Sequence, residues 1–136
     1  MLYLDTSALA KLYVTEQESA VLQSLVTEHQ ADLGTSVVTY AEMLSLLARC
    51  RRENRLTLSE HRLQRRAFQA NWKSLHVVEL TTEVLLPAER LVELYNLRGY
   101  DAVQLCSAFW IGRPLFACLD ERLRLAARKE GLSVAP

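Results

Sequence analysis

The sequence predicts an α/β fold, a parallel sheet covered by helices on both faces. Two observations carry this. Short apolar runs at Leu2–Leu4, Asp32–Thr35, His76–Leu80, Leu115–Cys118 and Leu132–Val134 alternate with longer stretches of helical periodicity, the order that builds parallel sheets. Leu2–Leu4 also shows no polar–apolar alternation, as expected of a strand buried on both sides. With 136 residues the reading is one domain over positions 1–136, large enough to bury a core without staples.

Taken in order, Leu2-Tyr3-Leu4 is the first strand, and Asp5 stands at its carboxyl end, where open α/β sheets place their ligands. Ala8, Leu9, Leu12 and Tyr13 then recur at helical spacing, and Val21, Leu22, Leu25 and Val26 form the stripe of a helix over Gln17–His29. After the strand Asp32–Thr35, Thr35 or Ser36 is placed to cap a long helix ending near Asn54. Thr57 or Ser59 caps the next helix, which runs to Leu75 and leads into the strand His76–Leu80. One helix is expected from Val84 to Leu97, with Pro87 in its first turns where a missing N–H does least harm, and Gly99 as its stop. Helix Ala102–Trp110 is nearly all apolar or small, so it is buried or faces a partner subunit. Gly112-Arg113-Pro114 turns into the strand Leu115–Cys118, Asp120 leads helix Glu121–Glu130, and Gly131 ends it before Leu132–Val134.

The formal net charge of zero conceals an asymmetry. From Arg49 to Lys73 there are eight basic residues against two acidic ones, a segment of +6 in a chain otherwise of −6. Half the residues are hydrophobic, which argues against disorder. Cys50, Cys106 and Cys118 are sparse, odd in number and set in apolar segments, as expected of reduced thiols in a cytoplasmic protein. The apolar start lacks a basic leader and is broken by Asp5, unlike a signal peptide. No apolar stretch approaches the ~18 residues of a membrane span.

Four carboxylates are candidates for chemistry: Asp5, Glu42, Asp101 and Asp120. Singly, each has a plainer explanation. The three aspartates precede predicted helices, where they cap free N–H groups, and a helical glutamate is usually solvated. Together they differ. Asp5 and Asp120 both follow apolar strands and so share one sheet edge, Asp101 opens an apolar helix, and Glu42 lies about two turns into another. Carboxylates packed together repel and are driven toward protonation. A hard divalent cation with oxygen-only ligation, Mg²⁺ or Mn²⁺, resolves this and supports phosphodiester hydrolysis.

Four motifs carry a resemblance: Leu4-Asp5-Thr6-Ser7-Ala8-Leu9; Ser36 followed by Tyr40-Ala41-Glu42; Arg98-Gly99-Tyr100-Asp101-Ala102-Val103-Gln104-Leu105; and Leu119-Asp120-Glu121-Arg122-Leu123. In this order they resemble PIN-domain ribonucleases, and more narrowly the VapC-type toxins of toxin–antitoxin pairs. The resemblance implies a PIN-like α/β/α sandwich on a five-stranded parallel sheet and Mg²⁺-dependent endonucleolytic cleavage of RNA. It also implies a cognate antitoxin partner and a homodimer to which the apolar helix Val103–Trp110 contributes. Carried over, Asp5 and Asp101 are the principal metal ligands and Asp120 completes the cluster. Glu42 acts directly or through a metal-bound water, with Thr6 and Ser7 as supporting hydroxyls; for Ser7 a helix-cap role is the alternative. Cys118 departs from the pattern, since many relatives have threonine there.

The basic segment, with Arg49, Arg52, Arg55, Arg62, Arg65 and Arg66, is expected to contact RNA phosphates; a solvated hairpin or an antitoxin-docking face are the alternatives. Two other functions compete. One is a phosphatase-like enzyme with Asp5 as nucleophile, although Ser7 stands where a second aspartate belongs. The other is a non-catalytic PIN-fold module that grips RNA or a partner.

Overall fold

The computed structural model describes every residue from Met1 to Pro136. Five short strands form one parallel sheet: β1 (Leu2–Leu4), β2 (Leu33–Ser36), β3 (His76–Val78), β4 (Leu115–Ala117) and β5 (Val134–Ala135), in the order β3-β2-β1-β4-β5. β1 is central, with Tyr3 opposite Gly34 on one side and Phe116 on the other.

Both faces of β1 are dry, which is why its sequence shows no alternation. Leu2, Tyr3 and Leu4 are all 0 % exposed, and burying each such side chain stabilises the fold by about 1.5–3 kcal/mol. Leu2 and Leu4 pack with Ala8, Met43, Leu47 and Phe68. These come from α1 (Thr6–Ala10), α3 (Val38–Arg52) and α4 (Leu58–Trp72), with α2 (Ser19–Glu28) adding Leu22. Tyr3 points the other way, its ring stacked on Phe116 with centroids 5.4 Å apart. It joins residues of α5 (Thr82–Leu85), α6 (Ala88–Tyr95), α7 (Gly99–Trp110) and α8 (Glu121–Lys129). The result is the three-layer α/β/α sandwich expected. No helix is long and apolar enough to cross a membrane.

Several boundaries differ from expectation, each for a local reason. The helix expected over Val84–Leu97 is two, broken at Leu86–Pro87, because Pro87 has no N–H to continue the first one. Thr81 caps the first piece, accepting from the Val84 N–H. The second ends at Asn96, in the left-handed region at φ 51°, a conformation asparagine tolerates. Gly99 therefore stops nothing; it starts α7, and Asp101 lies inside that helix's first turn. Thr35 and Ser36 do not cap α3 but finish β2, and Val37 holds the cap position without a side-chain bond. Thr57 does cap α4, in a reciprocal pair with Glu60.

Thr35 instead ties layers together. Its buried hydroxyl lies 2.7 Å from the Leu4 carbonyl and 2.9 Å from Thr39 Oγ1. Thr35→Val keeps the shape and strands these partners, so it should destabilise the protein by about 1–3 kcal/mol. Urea unfolding checks this; an unchanged midpoint would show the bonds to be dispensable.

Candidate active site

The strand order changes direction between β1 and β4, and at such a switch point a crevice opens beyond the carboxyl ends of the strands. Asp5 follows β1 directly, and its N–H extends the ladder by donating to the Ala117 carbonyl at 3.1 Å. Its Oδ1 accepts from the Ala8 N–H at 2.9 Å, capping α1, and from the Ser7 hydroxyl at 2.7 Å. Ser7 Oγ in turn accepts from the Leu119 N–H at 2.9 Å, so one hydroxyl links the two strand exits. Asp120 caps α8 through the Leu123 N–H at 2.9 Å. For Asp5 and Asp120 the capping bond is what orients the carboxylate.

Asp101 is not a cap. Arg98, just ahead of α7, turns back on it, donating from Nε to Oδ2 at 2.9 Å and from Nη2 to Oδ1 at 3.4 Å. The same guanidinium lies 4.0 Å from Asp120 Oδ2. Glu42, on α3, receives the Thr6 hydroxyl on Oε2 at 2.5 Å and the Gln104 amide on that oxygen at 3.3 Å.

All four carboxylates line one cavity of about 420 Å³, together with Thr6, Ser7, Gln104 and Arg98. They do not form the tight quartet expected from sequence: no three acidic, histidine or cysteine side chains are gathered closely enough to hold a metal ion between them as they stand. Two contacts account for this. Arg98 already neutralises Asp101, and Glu42 is drawn to Thr6 and Gln104. The donors facing the cavity remain carboxylate and hydroxyl oxygens, a set that suits a hard divalent cation.

Asp5 is 5 % exposed. Its carboxyl is pushed up to about 6, first by burial and further by the charge of Glu42, against the pull of the Ala8 N–H and the Ser7 hydroxyl. Cys118, where threonine was expected, is a buried thiol raised well above its usual range by desolvation. It donates to the Asp120 carbonyl at 3.6 Å and sits 4.0 Å from Ser7 Oγ.

Of the basic residues singled out, only Arg49 and Arg55 border the cavity, and Arg55 is ion-paired with Glu16. Arg52, at the end of α3, is exposed elsewhere, and so are Arg62, Arg65 and Arg66, because α4 docks through Phe68 and Trp72 against Tyr40 and leaves its arginines outside. The cavity has other cations that sequence reasoning missed, Lys11 and Arg98. It missed Gln104 as well, although an amide in an otherwise apolar helix demands partners and was legible as such. The apolar helix α7 proves to be largely core: Ala102, Leu105, Cys106 and Ala108 are buried within the chain, while Tyr100 and Trp110 near its two ends are largely exposed.

A parallel α/β/α sandwich with a carboxylate-lined cavity at its switch point defines the class of protein. The family model "PIN domain" matches residues 2–129. Ribonuclease VapC45 of Mycobacterium tuberculosis is 37 % identical over 138 residues, covering 100 % of this chain and 95 % of that protein. Among solved structures, FitAcB from Neisseria gonorrhoeae superposes with a TM-score of 0.74 at 17 % identity, covering 100 % of this chain and 97 % of that one. A toxin–antitoxin complex from Klebsiella pneumoniae does so with a TM-score of 0.63 at 14 % identity, covering 87 % and 85 %. The chain belongs to the PIN-domain family, and within it to the VapC type.

The Asp5 value sets a pH signature. Its folded-state pKa exceeds the unfolded 3.8, so the folded state binds the proton more tightly and ionisation works against folding. That cost is absent below pH ~4 and fully present above pH ~6, where it amounts to about 2–3 kcal/mol. Asn in place of Asp keeps the cap acceptor. Metal-free Asp5→Asn should therefore unfold at higher temperature than wild type at pH 7.5, and at the same temperature at pH 4. A clear drop at pH 7.5 would show that the charge itself is structural.

Proposed function

We propose that this protein is a Mg²⁺- or Mn²⁺-dependent endoribonuclease, the toxin of a toxin–antitoxin pair. The observation that carries the reading is the gathering of Asp5, Glu42, Asp101 and Asp120 around one cavity from four distant stretches of sequence. A relative of 37 % identity bears the name ribonuclease, which supports it.

Asp5, Asp101 and Asp120 would hold the cation, with Glu42 beside them. Bound there, it would polarise a phosphoryl oxygen and lower the pKa of water at neutral pH. The chain's own residues do the rest. Ser7 and the α1 and α8 N-termini fix Asp5 and Asp120, while Thr6 and Gln104 fix Glu42. An acidic cavity repels a phosphate backbone, and Lys11, Arg49, Arg55 and Arg98 on its walls offset that repulsion. Exposed Arg52, Arg62, Arg65 and Arg66 extend positive charge along α3 and α4, where RNA binding would weaken steeply with salt.

The partners proposed are RNA, a cognate antitoxin and a second copy of the chain. The Klebsiella toxin–antitoxin complex shares the fold. For self-association, exposed Leu86, Leu94 and Trp110 supply apolar surface. Three free, buried cysteines suit a reducing cytoplasm.

Purified protein should cut a mixed RNA pool internally with Mg²⁺ or Mn²⁺ and stop in excess chelator. Asp5→Asn and Asp101→Asn should each lower the rate by roughly 10³-fold or more with the fold intact. Cleavage that persists in chelator, in protein free of contaminating nuclease, would overturn the proposal.

A further inference from the structure

Gln104 is 3 % exposed on α7 and makes four polar contacts. Counting protons fixes their directions. The Tyr3 hydroxyl, which burial keeps protonated by raising it well above its usual value, donates to Gln104 Oε1 at 2.6 Å. With the acceptor end so fixed, the amide nitrogen faces Thr39 Oγ1 at 3.0 Å and both Thr6 Oγ1 and Glu42 Oε2 at 3.3 Å. The Thr35 proton goes to the Leu4 carbonyl, which only accepts. The contact between Thr35 and Thr39 therefore has Thr39 donating, and Thr39 is free to accept from Gln104. The Thr6 proton goes to Glu42 Oε2.

One amide N–H is thus taken by Thr39 and the other by the Thr6–Glu42 pair. Glu42 Oε2 receives both Thr6 and Gln104, while Oε1 has no hydrogen-bond partner in the protein. We infer that Gln104 is a positioning residue: oriented by Tyr3, it holds one Glu42 oxygen against Thr6 and leaves the other, Oε1, to act in the cavity. This rests on the reading of the cavity as a ribonuclease site. The chain of bonds runs from the central strand through α7 to α3, so the glutamate's rotamer is set by the packed core. A long side chain on an open helix face would otherwise sample several rotamers, and misplacement of a reacting group by about 1 Å can cost 10²-fold in rate.

Two measurements decide it. In the first, Gln104→Met, nearly isosteric and without the amide, should lower kcat about 10–100-fold, the range for lost orienting contacts, with KM within about twofold. A folded Gln104→Met protein with wild-type kcat would overturn the inference, and so would a loss confined to KM. In the second, the Gln104 side-chain NH₂ resonances of metal-free, ¹⁵N-labelled protein should exchange slowly with solvent. They should shift on Glu42→Gln and exchange faster in Tyr3→Phe, while Arg128→Ala, remote on α8, should leave them unmoved. Resonances indifferent to both Glu42→Gln and Tyr3→Phe would overturn the inference without reference to activity. Should Gln104→Met not fold, Tyr3→Phe takes its place in the rate measurement, where unchanged kcat counts against the relay. A wild-type protein that cuts no RNA would remove the ribonuclease reading, while the resonances would still decide whether Gln104 holds Glu42.

Discussion

A carboxylate at the end of a strand that is dry on both faces is the constraint on which this structure turns. Leu2, Tyr3 and Leu4 are wholly buried, and the next residue, Asp5, has nowhere wet to go. Its charge is tolerated because two groups converge on it: the α1 N-terminus through the Ala8 N–H, and the Ser7 hydroxyl. They lower the cost without removing it, and the carboxyl remains raised to about 6. A site that destabilises its own ionised form in this way gains most from a bound cation, since whatever neutralises Asp5 also relieves the fold.

The neighbouring acids meet the same demand by other means. Asp101 has Arg98 as an in-chain counter-ion, and Asp120 is capped and half open to solvent. Glu42 has two neutral donors on a single oxygen. Cationic and neutral solutions differ in consequence. A guanidinium on the surface, 76 % exposed as in Arg98, is held loosely and can move when a cation or phosphate arrives. A buried amide wired to the core cannot. The cavity therefore combines a replaceable charge partner with fixed geometry.

Much of this was legible in the sequence, and the parts that were share a cause. β1, the aspartate after it, the capping box of Thr57 and Glu60, and the alternation of strands and helices are local signals with one physical reading each. Failures came where two readings compete. Gly99 reads as a helix stop because glycine usually is one, but Asn96 three residues earlier already turns the chain left-handed. Thr35 reads as a cap by residue type, yet it lies within β2, and the carbonyl of Leu4 and the hydroxyl of Thr39 engage its hydroxyl. The arginines of α4 looked like part of the site because charge density is visible in sequence, whereas the side on which an amphipathic helix docks is decided by Phe68 and Trp72 meeting Tyr40.

The apolar helix α7 shows most clearly what sequence leaves open. Its lack of a polar face fits burial within the chain and burial against a partner equally well, and only the arrangement of the layers decides. α7 lies against β2, where Gly34 permits close approach: a Cβ there would stand 2.7 Å from Ile111 Cδ1. With that side closed and α5 and α6 covering another, the large side chains that the helix leaves exposed are Tyr100 and Trp110 at its ends. The burial of α7 also makes Gln104 significant. An amide in a dry layer must satisfy both ends, and Tyr3 on one side and the Thr39, Thr6 and Glu42 group on the other do so. The same packing that stabilises the core thus fixes the direction of a side chain at the cavity.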